Sequence, residues 1–519
     1  SFIFVSARGK EPKMPDRFRT YVWIFSSCTI VFMIFLSYSF SESPTAYSWH
    51  LLQAPVKLTK TVIGLQNGLL RNATYPKTEQ KNIDFPKQDV QEVINSFDKL
   101  LEKYYADIIN TASELKTQNP TWRDTGNGKK TISGYTPDYL DQVRDLPSVR
   151  TIMAEVDFSE FKDAFNMHYY HYGSSDCIQL ENKGIYGKGW GKNAFNDTCV
   201  TDVSQYADPL PLYKNYLSIG LPNNFNLDQT VLTYIHIISN AVVTDIGDVY
   251  ADQIILVPQR CSTKPKGRLS PSKTPVYDEV LTIAQFWGSG FFHFTSENLI
   301  RIGPYVELLR HNTNIKVHVV KRTGFIDTWL KLLGISSDRL VSGTIRATLL
   351  YMPAGGTCGR PAYFPSNMLS MQLRLSSGVT PAPRNTVVVI QRSSRRYFRN
   401  HNQIFKMVVD VAEPLGFEVK LFSDKHYPSM TETKEMFQRA VLVVGPHGAG
   451  LSNMFFTQPG TFILEGLCRP VNLCYRNLAK VLGHRYVGLM FNKNCFDVTP
   501  DDIRHYLEYF LQHIKTDKR

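Results

Sequence analysis

Apolar residues fall into four patterns along this chain, and each predicts a different kind of element. From Thr20 to Ser41 no residue is charged, and the run reads Tyr21-Val22-Trp23-Ile24-Phe25 through Ile30-Val31-Phe32-Met33-Ile34-Phe35-Leu36. About 20 apolar residues in a row span a bilayer as a helix. Next, Val90, Val93, Ile94, Phe97, Leu100, Leu101, Tyr104 and Ile108 recur at helical spacing, which predicts an amphipathic helix. Between about 150 and 375, the runs Val231–Ile238, Gln253–Val257 and Ile315–Val320 predict strands, and Glu279–Phe286 and Glu297–Leu309 predict helices. The last stretch alternates regularly. Strands are predicted at Thr386–Ile390, Phe417–Phe422, Val441–Val444, Phe462–Glu465 and Tyr486–Phe491, with helices near Gln403–Leu415, Thr431–Ala440, Leu451–Phe456 and Asn477–Leu482. Thr499 caps a closing helix, with Pro500 at its first position and Asp501 and Asp502 in its first turn.

Alternating strands and helices of these lengths predict an α/β fold with a doubly wound parallel sheet at the C-terminal end. The expected organisation is a cytosolic tail (1–20), a transmembrane signal anchor (21–40), a stem carrying the amphipathic helix (41–132), and two folded domains (133–380 and 381–519). Ser376–Pro383 reads as their linker. The stem helix has two uses open to it: packing on its own domain, or pairing two chains into a homodimer.

Charge sets the topology. Lys10, Lys13, Arg17 and Arg19 precede the apolar run and Glu42 follows it, so the N-terminus is expected in the cytosol and the C-terminus in the lumen. Met14, just before the basic flank, is the expected start. Of eight cysteines, Cys28 lies in the apolar run, and the other seven would sit where disulfides persist. Asn72 and Asn196 open Asn-x-Thr sequons that agree with that compartment. The formal net charge of +12 suits an anionic partner, yet no Lys/Arg block interleaved with aromatics marks a nucleic-acid groove, so no nucleic acid is expected.

Four clusters carry candidate chemistry. In the first, the strand ending at Val444 runs into Gly445-Pro446-His447-Gly448-Ala449-Gly450-Leu451-Ser452-Asn453, a small-residue turn opening a helix. Such a turn lets a phosphate approach free N–H groups at a positive helix end, and His447 adds a side-chain donor. It is neither a Walker A loop nor a GxGxxG fingerprint, which weighs against a nucleotide-binding oxidoreductase. In the second, His293 and Glu297 stand four apart, sharing a face on a helix, and a His–carboxylate pair can deprotonate a hydroxyl. The third, Arg392 through Arg396 to Asn400, follows a buried strand, and its arginines suit a diphosphate. In the fourth, Glu465 at its strand end can accept from two ribose hydroxyls.

His293 with Glu297, Arg392 with Arg396 and Asn400, the segment Gly445–Asn453 and Glu465 together resemble glycosyltransferase family 61, over roughly Phe286 to Phe491. The resemblance implies a GT-B architecture of two Rossmann-like domains facing a cleft. It implies inverting transfer of a sugar, xylose or N-acetylglucosamine above others, from a UDP-sugar to a glycan or glycoprotein acceptor. Residues 133–380 then form the acceptor side and 381–519 the nucleotide-sugar side. Glu297 is the expected base with His293 its partner. Arg392, Arg396, Asn400, Gly445, His447, Gly448, Ala449, Gly450, Ser452 and Glu465 are the expected donor contacts. Glu297 stands where some family members carry Asp, and Arg395 beside Arg396 leaves the arginine match open by one residue. The chain contains no Asp-x-Asp triplet, so no metal and no cofactor are expected. A single-pass type II protein of the Golgi or endoplasmic reticulum membrane is the expected setting. The alternative is a catalytically inactive membrane-anchored protein of the same fold that binds glycans or acts as a scaffold.

Overall fold

A computed structural model of the chain describes residues 90–117, 130–133, 139–144, 146–157, 229–251, 254–257, 274–355, 365–376, 383–467, 472, 474–490 and 498–514. All lie in one compact unit, Pro76–Arg519. The expected membrane anchor, Met14, both sequons, most of the linker and every cysteine but Cys474 lie outside the described residues. Among the described residues, no helix is long and apolar enough to cross a membrane.

The fold is α/β and built on two sheets. The strands of the larger sheet are β1 (Lys130–Ser133), β2 (Val149–Asp157), β3 (Gln229–Val243), β4 (Val249–Ala251), β5 (Ile254–Val257), β6 (Val276–Thr282), β7 (Lys316–Val319), β8 (Leu340–Ser342) and β9 (Ile345–Pro353). Their order is β1-β5-β4-β3-β9-β6-β7-β8, with β2 also pairing β3. β9, β6, β7 and β8 run parallel, whereas β3 is antiparallel to β2, β4 and β9. This half is therefore a mixed sheet, with the parallel run β9-β6-β7-β8 on one side and antiparallel pairing around β3 on the other.

β6 is a correction to the expected pattern. Glu279–Phe286 reads as helical in isolation, but Val276–Thr282 is a strand between β9 and β7. Val276, Val280 and Thr282 are β-branched, and a slot between two parallel strands overrides the weak helical preference of Asp278-Glu279.

The amphipathic helix spans Val90–Thr117. Its stripe Ile94, Phe97, Leu101, Tyr104, Ile108, Ala112 and Leu115 is buried in the same core as β3, β9 and the helix Pro365–Ser376. The ring of Tyr104 meets that of Tyr305, their hydroxyls 2.9 Å apart, and Arg374 binds Asp98 and Glu307. Burial of a large apolar side chain contributes about 1.5–3 kcal/mol, so exposing this stripe again would cost on the order of 10 kcal/mol. The helix is thus part of the globular unit rather than of a stem, and its apolar face is not available as a dimer seam.

The smaller sheet matches its pattern closely. β10 (Thr386–Gln391), β11 (Glu418–Ser423), β12 (Ala440–Pro446), β13 (Phe462–Leu467) and β14 (Arg485–Met490) are all parallel, in the order β11-β10-β12-β13-β14. β10 and β12 are buried almost throughout, as strands covered on both faces must be. The order reverses direction between β10 and β12, and ligands bind outside the carboxyl ends of such sheets at that point. The closing helix Pro500–His513 begins with a full capping box between Thr499 and Asp502.

The two halves share a core. Trp329 stacks on Phe456 at 4.7 Å, and the Gln372 amide donates to the Thr457 carbonyl at 3.1 Å.

Candidate active site

The switch point of the small sheet holds five of the expected residues together: Arg392, Gly445, His447, Gly448 and Glu465. His447 follows β12 directly, and its backbone N–H donates to the Gly466 carbonyl of β13 at 2.9 Å. Gly445 pairs with Glu465 across the same ladder. His447 Nδ1 then lies 2.5 Å from Glu465 Oε1, and the Tyr486 hydroxyl donates to Glu465 Oε2 at 2.5 Å. From β10, Arg392 reaches across and donates through Nη1 to the His447 carbonyl at 2.8 Å. Gly448 permits this approach, because a β-carbon there would stand 1.9 Å from that nitrogen.

Glu465 is 0% exposed, and its two oxygens face His447 and the Tyr486 hydroxyl within the protein. Tyr486 carries no signal beyond its place in a strand. Burial first, then the Glu465 charge, pushes its hydroxyl far above the usual tyrosine range.

Arg392 and Arg396 concentrate positive charge at the end of β10. Arg392 is held below the ordinary arginine range by partial burial first and then by the nearby charge of Arg396. Arg395 and Arg396 both have left-handed backbone, with φ of 42° and 52°, uncommon for non-glycine residues and frequent where loops serve ligands.

The remaining donor candidates are placed differently. Asn400 is the cap residue of the helix His401–Ala412, and its side chain makes no capping bond. Ala449 and Gly450 open a 3-10 helix, Ala449–Phe456, in place of the expected α-helix. Gly450 lies against Ile390 and Phe422, and Ser452 is fully buried.

The second cluster follows β6. His293 ends a short helix, Phe291–His293, and Glu297 falls in the π-helical turn Phe294–Asn298. A 3-10 stretch containing Pro304 comes next. This irregular winding takes the place of the straight helix expected over Glu297–Leu309. The His293 and Glu297 side chains do meet: Nδ1 lies 2.8 Å from Glu297 Oε2, to which the Gln285 amide also donates at 3.1 Å. Gln285, a buried amide in the apolar run Ile283–Phe286, is a site residue missed from sequence. Burial separates the two partners, since the Glu297 side chain is 0% exposed and that of His293 30%. The outward-facing member is His293.

Two residues outside the quoted motifs join the clusters. The Tyr475 ring stands edge-on to His447 at 5.1 Å and to Phe292 at 5.2 Å, beside His293 in the chain. Burial, Cys474 and Glu465 push its hydroxyl up, against a hydrogen bond with Ser452. Cys474 is buried, and its thiol is raised by burial first and then by the charges of both Glu465 and Glu297. One small region therefore feels both carboxylates. No sequence pattern singles out Cys474-Tyr475. Among the described residues, no group of His, Cys, Asp and Glu has the arrangement of a metal site.

The family model Glycosyltransferase 61 matches residues 291–464, a segment running from His293 and Glu297 to the end of β13 but for its last residues. The chain carries a domain of glycosyltransferase family 61, and it is a glycosyltransferase. That class of enzyme acts on a sugar donor and a glycan acceptor. No curated protein matches the chain. Among solved structures, a mutant flavo di-iron protein from Thermotoga maritima is similar over 58% of this chain and 70% of its own, at 12% identity and a TM-score of 0.21, too low to bear on fold or function.

Proposed function

We propose that the chain is an inverting, UDP-sugar-dependent glycosyltransferase of GT-B type that needs no metal. Its setting is the Golgi or endoplasmic reticulum lumen, where a type II N-terminal anchor holds it. The observation that carries this reading is the approach of two His–Glu pairs, one from each half: the Tyr475 ring packs edge-on to His447 and to Phe292, and Phe292 in turn stands edge-on to His293. One pair sits with Arg392 and Arg396 at the switch point, where a diphosphate is gripped by charge. The other offers a histidine to an acceptor.

In the proposed step, Glu297 accepts from Nδ1–H of His293, so Nε2 carries the lone pair. Nε2 takes the proton of the acceptor hydroxyl as its oxygen bonds to the anomeric carbon. The bond from that carbon to the diphosphate oxygen breaks on the opposite face, and UDP leaves. Arg392, Arg396 and His447 stabilise the charge that develops on the diphosphate, an electrostatic role. Glu465 holds the His447 ring and compensates its positive charge.

The test is a panel of UDP-xylose, UDP-N-acetylglucosamine, UDP-arabinose and UDP-glucose offered to the full-length chain, with UDP release as the readout. Release from one donor, xylose or N-acetylglucosamine by expectation, supports the reading. Tight UDP binding without turnover of any donor, even with glycoprotein acceptors, would favour the catalytically inactive alternative, a glycan-binding or scaffolding protein of the same fold.

A further inference from the structure

Trp287 lies in the loop that follows β6, between the amide that binds Glu297 and the histidine itself. It is 58% exposed, whereas tryptophan is among the most buried residues on average. Its backbone is left-handed, with φ of 68°, a conformation a bulky residue rarely adopts. Two turns hold it there: Gly288 N–H donates to the Gln285 carbonyl at 2.9 Å, and Gly290 N–H donates to the Trp287 carbonyl at 2.9 Å. A β-carbon at Gly288 would stand 2.1 Å from the Asn298 amide nitrogen and 2.8 Å from Val320, so this position of the turn has room for glycine alone. The Phe286 ring braces the indole edge-on at 4.8 Å. A β-carbon at Gly290 would lie 3.4 Å from the Trp287 carbonyl and 3.6 Å from His293 Cδ2, which places this turn directly beside the histidine.

The fold thus accepts backbone strain to keep a large flat ring out in solvent, on a turn that lies beside the group that would deprotonate an acceptor. Strain of this kind persists where it serves a site. An indole has a broad apolar face, and a pyranose has one face of C–H bonds that matches it. We propose that Trp287 is the stacking platform for a pyranose ring of the acceptor and that it sets acceptor affinity. This rests on the glycosyl-transfer reading above.

The test uses Trp287→Gly and Trp287→Phe in the full-length chain. Glycine is at ease at this φ, so Trp287→Gly is expected to melt at the same temperature or higher. The probes are methyl xyloside, methyl mannoside and methyl N-acetylglucosaminide, read by saturation-transfer NMR in the presence of UDP. Wild type is expected to bind at least one through a single ring face. Trp287→Gly should lose about tenfold or more of that affinity and Trp287→Phe only a few-fold, with UDP affinity unchanged in both. Unchanged pyranoside affinity in Trp287→Gly overturns the proposal, as does a wild type that binds UDP but no pyranoside. A drop in UDP affinity overturns it too, because the indole would then belong to the donor. A wild type that neither binds UDP nor hydrolyses any UDP-sugar removes the glycosyl-transfer reading itself, and this proposal with it.

Discussion

A β-carbon at Gly448 would stand 1.9 Å from Nη1 of Arg392, the atom that donates to the His447 carbonyl. The bare backbone of one residue thereby fixes the position of a guanidinium 56 residues away in sequence. Gly448→Ala should displace Arg392 without unfolding the chain, because what must move is the far end of a flexible side chain. Losing one charge-assisted contact costs about 1.5–3 kcal/mol, or roughly one to two decades of UDP affinity by calorimetry. Arg392→Ala should cost about as much, and the double variant little more, since both remove the same contact. Full additivity would mean that Gly448 acts on something other than Arg392.

The burial of Glu297 and the exposure of His293 set the second prediction. His293→Ala should cut turnover by roughly two to four decades, the range for a lost general base. Glu297→Gln should cut it by about one to two decades, because a neutral amide still orients the ring but leaves its charge uncompensated. Neither change should move UDP affinity more than a few-fold. If Glu297→Gln abolishes turnover while His293→Ala stays within tenfold of wild type, the carboxylate is the base after all.

How far the sequence carried these conclusions depends on the reach of each interaction. The strands and helices between β10 and β14 are legible because each is a local pattern: a β-branched run, a glycine turn, a capping box. The contacts of Glu465 were not legible, since the Tyr486 hydroxyl that occupies its second oxygen arrives from a neighbouring strand. The helix Val90–Thr117 was legible in period, whereas its partner surface, 48 to more than 250 residues away at Ile152 and Arg374, was not. β6 misled because its acidic pair dominates the local pattern while its neighbours β7 and β9 decide its conformation. Tyr475 carries no local mark, and only the meeting of the two halves sets it between His447 and Phe292.

Stability should fall on the acid side through two buried histidines of the large sheet. Burial lowers His236 to about 3, with the charge of Arg301 adding to the effect. Burial lowers His318 to about 4, opposed by its hydrogen bond to the Gly343 carbonyl. Around His236 stand the rings of Tyr139 and Tyr234 and the Thr151 hydroxyl; His318 Nδ1 meets the Thr282 hydroxyl. In the unfolded chain each titrates near about 6.5. Below that pH the unfolded state binds more protons, so stability is full above about 6.5 and declines as pH falls toward the folded values. The slope is about 1.4 kcal/mol per pH unit for each histidine. Thermal melts from pH 7.5 to 5.0 should show the decline, and His318→Gln, which keeps a donor for Gly343, should flatten it. A melting temperature independent of pH over this range would contradict the assignment.

Turnover should survive EDTA. In the proposed reaction Arg392, Arg396 and His447 supply the positive charge for the diphosphate, and the chain has no Asp-x-Asp triplet. Activity that disappears with chelator and returns only with Mn²⁺ would show that these side chains are not sufficient.

The role of Glu465 separates cleanly by choice of ligand. If it acts through His447, its loss should weaken any diphosphate, whether or not a ribose is attached. Glu465→Gln removes the charge facing His447 Nδ1 and leaves the ring less able to stand opposite an anion. UDP and inorganic pyrophosphate should then both lose affinity, each by about one decade, the scale of a lost partner outside the direct contacts. If Glu465 instead met the ribose, UDP alone would weaken and pyrophosphate would bind as before. Tyr486→Phe completes the argument, because it deprives the buried carboxylate of one of its two donors without touching its charge. That should cost about 1–3 kcal/mol of stability, seen as a lower denaturant midpoint with unchanged slope. UDP affinity should change little, since Oε1 still holds His447. A Tyr486→Phe chain that binds UDP more tightly would mean that the freed oxygen reaches the nucleotide, and the ribose role would be restored.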